Sequence, residues 1–188
     1  MWLTVPNLFT FLRVAMTPYI LLELARGEYM IAGWTFGAAA FTDTLDGFIA
    51  RRFHAESRVG LYLDPLADKL LLSSIYIGLM LSQAIPVWVV GIVFARDLWI
   101  LLLSGIALRF TEFRELQPSV WGKASTFVQI MTAVGVMAAR AYKNAAFERV
   151  AGVLIWAVVA LAVISAADYT RRGLGFWLRS RALDHKGR

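Results

Sequence analysis

Apolar residues run along this chain in six long blocks separated by short polar segments. The blocks cover roughly residues 8–25, 29–50, 61–82, 86–108, 119–142 and 147–168. A spanning helix needs about 20 mostly apolar residues, and each block approaches that length. None alternates with a period of two, so the strands of a membrane barrel are excluded. No block repeats another, and no segment is of low complexity. The pattern predicts an all-α polytopic membrane protein with six transmembrane helices, forming one domain over residues 1–188. Residues 1–7 read as a short interfacial lead, in which Val5-Pro6-Asn7 turns the chain into the first helix. Residues 171–188 read as a basic tail. The first residues lack a basic region followed by a small-residue cleavage site, so they do not read as a signal peptide.

Charge then orients the blocks. If the N-terminus is cytoplasmic, the inner loops hold Arg51, Arg52, Arg58, Arg109, Arg114 and Lys123, and the tail adds further arginines and lysines. The outer loops hold only Arg26, Arg140, Lys143 and Arg149, three of them between the fifth and sixth blocks. That bias places both termini on the cytoplasmic side. Composition agrees with a bilayer setting: 59% of residues are hydrophobic, 17% are charged, and mean hydropathy is +0.62. A soluble domain runs nearer ~45–50% apolar and ~25% charged. With no cysteine, disulfide scaffolds, iron–sulfur clusters and thiolate zinc are all excluded. The net charge of +6 suits anionic membrane lipids or phosphate-bearing ligands. Nucleic acid is not an expected partner, because most of the chain must face lipid.

Four aspartates fall within residues 43–68. Asp43 and Asp46 stand i,i+3 at the end of the second block. Asp64 and Asp68 stand i,i+4 at the start of the third. Helical spacing puts each pair on one face, and a short basic connection lets the two acidic ends meet. Four carboxylates beside a bilayer repel one another unless something neutralises them. Divalent cations do so, and an all-oxygen set suits Mg²⁺ or Mn²⁺. Gly47 and Gly60 leave open backbone beside the acids, and Arg51 offers a planar fork to phosphate oxygens. The residues describe a pocket for a metal-bound diphosphate at the inner face.

Asp43-Thr44-Leu45-Asp46-Gly47-Phe48-Ile49-Ala50-Arg51, eight further residues, then Gly60-Leu61-Tyr62-Leu63-Asp64-Pro65-Leu66-Ala67-Asp68 resembles the signature of the CDP-alcohol phosphotransferases at every fixed position. Eight fixed residues at fixed spacing make this a specific motif. The family is also built on six transmembrane helices, so the resemblance covers nearly the whole chain. It implies a cavity open to the cytoplasm, a homodimer, and transfer of a CDP-linked group to an alcohol with release of CMP. It implies that Asp43, Asp46 and Asp64 ligate one of two divalent ions, with Asp43, Asp64 and Asp68 around the second. Asp68 would also be the general base. Gly47, Arg51, Ser57 and Gly60 match the positions for the cytidine diphosphate of CDP-diacylglycerol. Two cations on a diphosphate would neutralise the leaving group and polarise the phosphorus.

Other residues are less specific. Pro6-Asn7-Leu8-Phe9-Thr10-Phe11-Leu12-Arg13 resembles a recurrent opening of the family. Asn7 reads equally as an N-cap or a substrate-facing group, and Arg13 as a snorkelling or a substrate-facing one. Arg96 lies deep in the fourth block, either paired internally or holding a lipid or acceptor phosphate. Lys123, at the start of the fifth block, is the second candidate for an anionic acceptor. Relatives that make phosphatidylglycerophosphate carry Arg and Lys where this chain has Ser104 and Ser125. The likeness is closer to eukaryotic-type cardiolipin synthases, which favours phosphatidylglycerol over glycerol 3-phosphate as acceptor. Two other classes also use intramembrane acids. Cation transporters tend to show paired repeats and broken helices, and prenyltransferases lack the Gly47–Arg51 and Gly60 spacing. The short N-terminus without a transit peptide points to a bacterial plasma membrane.

Overall fold

The computed structural model describes residues 5–53, 60–110 and 119–184, with side chains at 12–42, 66–106 and 119–174. These residues form six helices: α1 (Val5–Ala25), α2 (Tyr29–Phe53), α3 (Gly60–Leu81), α4 (Val87–Phe110), α5 (Val120–Tyr142) and α6 (Ala145–Asp184). No strand occurs among the described residues. Each helix coincides with one apolar block, and two boundaries differ for physical reasons. The expected bend at residues 5–7 is helix, because Pro6 falls in the first turn, where its missing N–H is no loss. The last helix does not stop at 168 but runs to Asp184, through the basic tail. Hydropathy falls there, yet no proline interrupts the run, and Arg, Leu and Ala all favour helix.

Short turns join the helices. At the end of α1 the amide of Gly27 donates to Leu24 O (3.0 Å) and that of Glu28 to Glu23 O (2.9 Å). This double closure needs a left-handed residue, supplied by Gly27 at φ 81. The end of α3 repeats the pattern, Gln83 bonding Met80 O and Ala84 bonding Leu79 O. Here Gln83 takes the left-handed conformation at φ 58. Two helix starts are capped by side chains. Ser119 Oγ accepts from the Gly122 amide at 3.0 Å, and Asn144 Oδ1 from Ala146 at 2.8 Å.

The chain divides into two compact units. One comprises α1, α2, α3 and residues 133–151, the end of α5 with the start of α6. In it α1 packs against both α2 and α3, around Ile20, Leu24, Phe36, Leu71, Ile75 and Tyr76. α1 and α3 approach closely at Gly78, where an added Cβ would stand 2.7 Å from Leu24 Cβ. The other contact that fixes register is Arg13 with Asp68. From Arg13 to Leu24 is eleven residues, and from Asp68 to Gly78 is ten, so α1 and α3 run parallel. The second unit comprises α4, the first part of α5 and the rest of α6. Trp88 and Trp156 meet there with ring centroids 5.6 Å apart and planes tilted by 45°, and the Thr132 hydroxyl donates to Leu154 O at 3.1 Å.

Among the described residues, three helical stretches are long and apolar enough to cross a membrane: Val87–Ile106, Val120–Tyr142 and Ala145–Leu174. Leu98, Leu101, Leu102 and Ile106 on α4, with Val153 and Val163 on α6, are exposed. In water such surface would drive association; in a bilayer it is solvated by acyl chains.

The Gly78 seam generates a prediction. Gly78→Ala forces α1 from α3 and lowers stability by about 1–3 kcal/mol, the usual cost of overpacking. Gly105 has open space around its Cα. Gly105→Ala therefore leaves the melting temperature unchanged or higher, Ala being favoured in helices by about 1 kcal/mol. Thermal unfolding of both variants in the same detergent separates these outcomes.

Candidate active site

The signature residues occupy two helix ends. Asp43, Asp46, Gly47, Ala50 and Arg51 lie in the last turns of α2, and Gly60, Asp64 and Asp68 in the first turns of α3. Both helices are continuous across their aspartates, so each pair keeps its helical spacing. The side chains of Asp43, Asp46, Arg51, Asp64 and Asn7 lie outside the described residues, as does Ser57 altogether. Asp68 is the one of the four aspartates whose side chain is described. No three metal-ligating side chains gather among the described residues. Carboxylates offer hard oxygen atoms, a chemistry that fits Mg²⁺ or Mn²⁺.

Around Asp68 the packing is asymmetric. Its side chain is 57% exposed, whereas that of Arg13, its partner, is 3% exposed. The Arg13 guanidinium donates to Asp68 Oδ1. One turn further along α1, the Thr17 hydroxyl donates to the Arg13 carbonyl at 2.9 Å. This geometry corrects the snorkelling reading of Arg13: the side chain turns into the helix packing instead of reaching for water. A guanidinium inside needs an acceptor, and α3, held parallel to α1, brings one. Asn7 is the third residue of α1, so it is not an N-cap, which corrects that reading too.

The remaining candidates belong to the second unit. Arg96, on α4, is 7% exposed. Its Nε and Nη2 donate to Ser165 Oγ of α6 at 3.2 and 2.8 Å. Nη2 also donates to the Gly122 carbonyl of α5 at 3.3 Å, and Nη1 to Asp97 at 2.8 Å. The guanidinium, read as either paired internally or holding a phosphate, is engaged by acceptors on three helices. The Gly122 carbonyl it holds immediately precedes Lys123, whose side chain is exposed. Tyr169 of α6 closes the same turn, its hydroxyl accepting from the Ser119 amide at 3.2 Å. A Cβ at Gly122 would stand 3.1 Å from the Tyr169 ring. Ser125 is fully buried, and its hydroxyl has no partner among the described residues.

Sequence reasoning missed Ser165, Ser119 and Tyr169. A signal for the first was present: a serine inside the apolar run of α6, like an arginine inside that of α4, is inexpensive only when another buried polar group satisfies it. Nothing local marked the other two.

Known proteins resemble this chain along most of its length. The sequence model of the CDP-alcohol phosphatidyltransferases matches residues 3–164. A Drosophila melanogaster protein named "Probable cardiolipin synthase (CMP-forming)" is 34% identical over 147 residues, which is 69% of this chain and 45% of that protein. A Mycobacterium tuberculosis protein named "Probable phosphatidylglycerophosphate synthase" is 33% identical over 175 residues, 89% of this chain and 80% of the relative. The human "Cardiolipin synthase (CMP-forming)" is 28% identical over 184 residues, covering 87% of this chain and 59% of its own length. The chain thus spans about half the length of the animal relatives and most of the mycobacterial one. A signature set in unbroken helical register at the ends of α2 and α3, inside a match that runs over residues 3–164, means that the chain belongs to the CDP-alcohol phosphatidyltransferase family.

Proposed function

We propose that this chain is an integral-membrane phosphatidyltransferase that moves the phosphatidyl group of CDP-diacylglycerol to a glycerol-type alcohol and releases CMP. The observation that carries this reading is the complete signature on two helix ends within the family match. All six helices cross the bilayer, with both termini and the aspartates on the cytoplasmic side. The parallel run of α1 and α3, which start from the same side, supports this topology. So does the excess of Lys and Arg in the connections assigned to that side. Family membership leaves the cation-transporter reading without support.

In the proposed reaction, the acceptor hydroxyl oxygen attacks the phosphorus that carries diacylglycerol. The bond from that phosphorus to the bridging oxygen breaks, and CMP departs with the electron pair. The hydroxyl proton passes to Asp68 as general base. Asp43, Asp46, Asp64 and Asp68 would hold two divalent cations, whose chemistry is charge neutralisation on the diphosphate. Gly47 and Gly60 admit the donor close to the backbone, and Arg51 and Ser57 meet its phosphate and cytidine groups.

Phosphatidylglycerol is the favoured acceptor. A glycerol 3-phosphate dianion calls for more cations than a phosphodiester, and positions 104 and 125 hold serines. Ser125 is fully buried, a site where a lysine ammonium would be costly to place. Lys123, exposed on the turn that Arg96 holds, is the cation left to meet a single phosphate charge. Glycerol 3-phosphate is the second reading, favoured by the mycobacterial relative, whose alignment covers most of both chains.

Three outcomes are expected. Purified protein given CDP-diacylglycerol with phosphatidylglycerol forms cardiolipin, loses the activity on chelation and regains it with Mg²⁺ or Mn²⁺. Glycerol 3-phosphate reacts at least about a hundredfold less efficiently, since each missing charge-assisted contact removes roughly 1.5–3 kcal/mol. Rapid use of glycerol 3-phosphate with phosphatidylglycerol inert would establish the second reading. In the same assay Asp43→Asn, Asp46→Asn, Asp64→Asn and Asp68→Asn each abolish CMP release. Single cysteines, unambiguous in a chain with none of its own, report topology: one replacing Ser57 reacts from the cytoplasmic side and one replacing Glu28 from the opposite side. Reaction of both from one side would refute the six-span arrangement.

A further inference from the structure

Asp68 carries two duties in the proposed reaction, as metal ligand and as proton acceptor, and both depend on where its carboxylate points. Yet its side chain is the exposed member of its pair, at 57% against 3% for Arg13. An exposed aspartate samples several orientations, while useful catalytic geometry requires placement within about 0.5 Å. Something must hold it.

We infer that Arg13 is a positioning residue that fixes the Asp68 carboxylate for catalysis and thereby governs turnover and not donor affinity. The inference rests on the reading of Asp68 as ligand and base. Three observations carry it. First, the asymmetry of burial is that of a clamp: the guanidinium is held in the helix packing at 3% exposure, while the carboxylate is the more exposed member of the pair. Second, the clamp stands on a fixed base. The Gly78–Leu24 contact sets α1 against α3 ten residues beyond Asp68, about 15 Å along the helix at ~1.5 Å per residue. The backbones that carry Arg13 and Asp68 are therefore held in register by a second contact besides the pair. Third, arginine presents rigid planar donors, so a bond to Oδ1 restricts rotation of the carboxylate in a way a flexible ammonium does not.

The test uses the full chain in detergent with CDP-diacylglycerol and whichever acceptor proves active. Arg13→Gln is expected to lower kcat by about a hundredfold, within the range of a general base's contribution, while KM for CDP-diacylglycerol changes less than about threefold. Arg13→Lys is expected to recover about a tenth of wild-type turnover. Titration with Mn²⁺, followed by electron paramagnetic resonance, is expected to show weaker ion binding in Arg13→Gln, with a melting temperature close to wild type. Adding Arg13→Gln to Asp68→Asn is expected to cause no further loss, because the two residues act as one device. Turnover of Arg13→Gln within about threefold of wild type would overturn the inference. So would a loss confined to KM, or unchanged Mn²⁺ binding with a fall in kcat matched only by a fall in melting temperature. If Arg13→Gln does not fold, Arg13→Lys decides alone: full turnover refutes the clamp, and a loss of kcat at unchanged melting temperature supports it. Wild-type turnover in Asp68→Asn would instead remove the base reading, an outcome separate from any result at Arg13.

Discussion

A guanidinium withdrawn from water must find an acceptor, and Arg13 finds its own in Asp68, 55 residues along the chain from it. That requirement orders the first unit. α1 and α3 must lie parallel, with their starts at the same level, for Arg13 to reach Asp68. The tight closures after α1 and α3 and the bare Gly78 surface keep them so. The arrangement places the third- and fourth-signature acids, Asp64 and Asp68, at the level of the first turns of α1. In the proposed reaction, substrate chemistry and helix packing thus share one electrostatic contact.

The second unit meets the same difficulty with Arg96 and solves it differently. There the charge is shared out to Asp97 on its own helix, Ser165 on α6 and the Gly122 carbonyl on α5. One side chain ties three helices together where lipid offers no hydrophobic drive to do so. The tie falls on the turn that displays Lys123, so the cation free of this internal network is also the one nearest to it in the chain.

Six helices and the four-aspartate signature were legible because both depend on local spacing. An apolar run of bilayer length and carboxylates at i,i+3 and i,i+4 carry their meaning within a few turns. Asp68 as the partner of Arg13 and Ser165 as a partner of Arg96 were not legible: they lie 55 and 69 residues away, and sequence reveals that a buried charge needs an acceptor without naming it. Helix ends misled for a related reason. Hydropathy marks where the bilayer stops, whereas the backbone stops only at a breaker, so α1 began earlier than its apolar block and α6 ran on well past its own.

That overrun has a mechanical consequence. At ~1.5 Å per residue, the 40 residues of α6 extend for about 60 Å, twice the ~30 Å of a hydrocarbon core. Arg171, Arg172, Arg179 and Arg181 are therefore carried on a rod and not on a thread. A flexible tail would let each arginine settle onto anionic headgroups separately, at distances set by chain statistics. A continuous helix moves them as one body, so they approach or leave the membrane surface together, at a height dictated by the tilt of α6 within the bilayer.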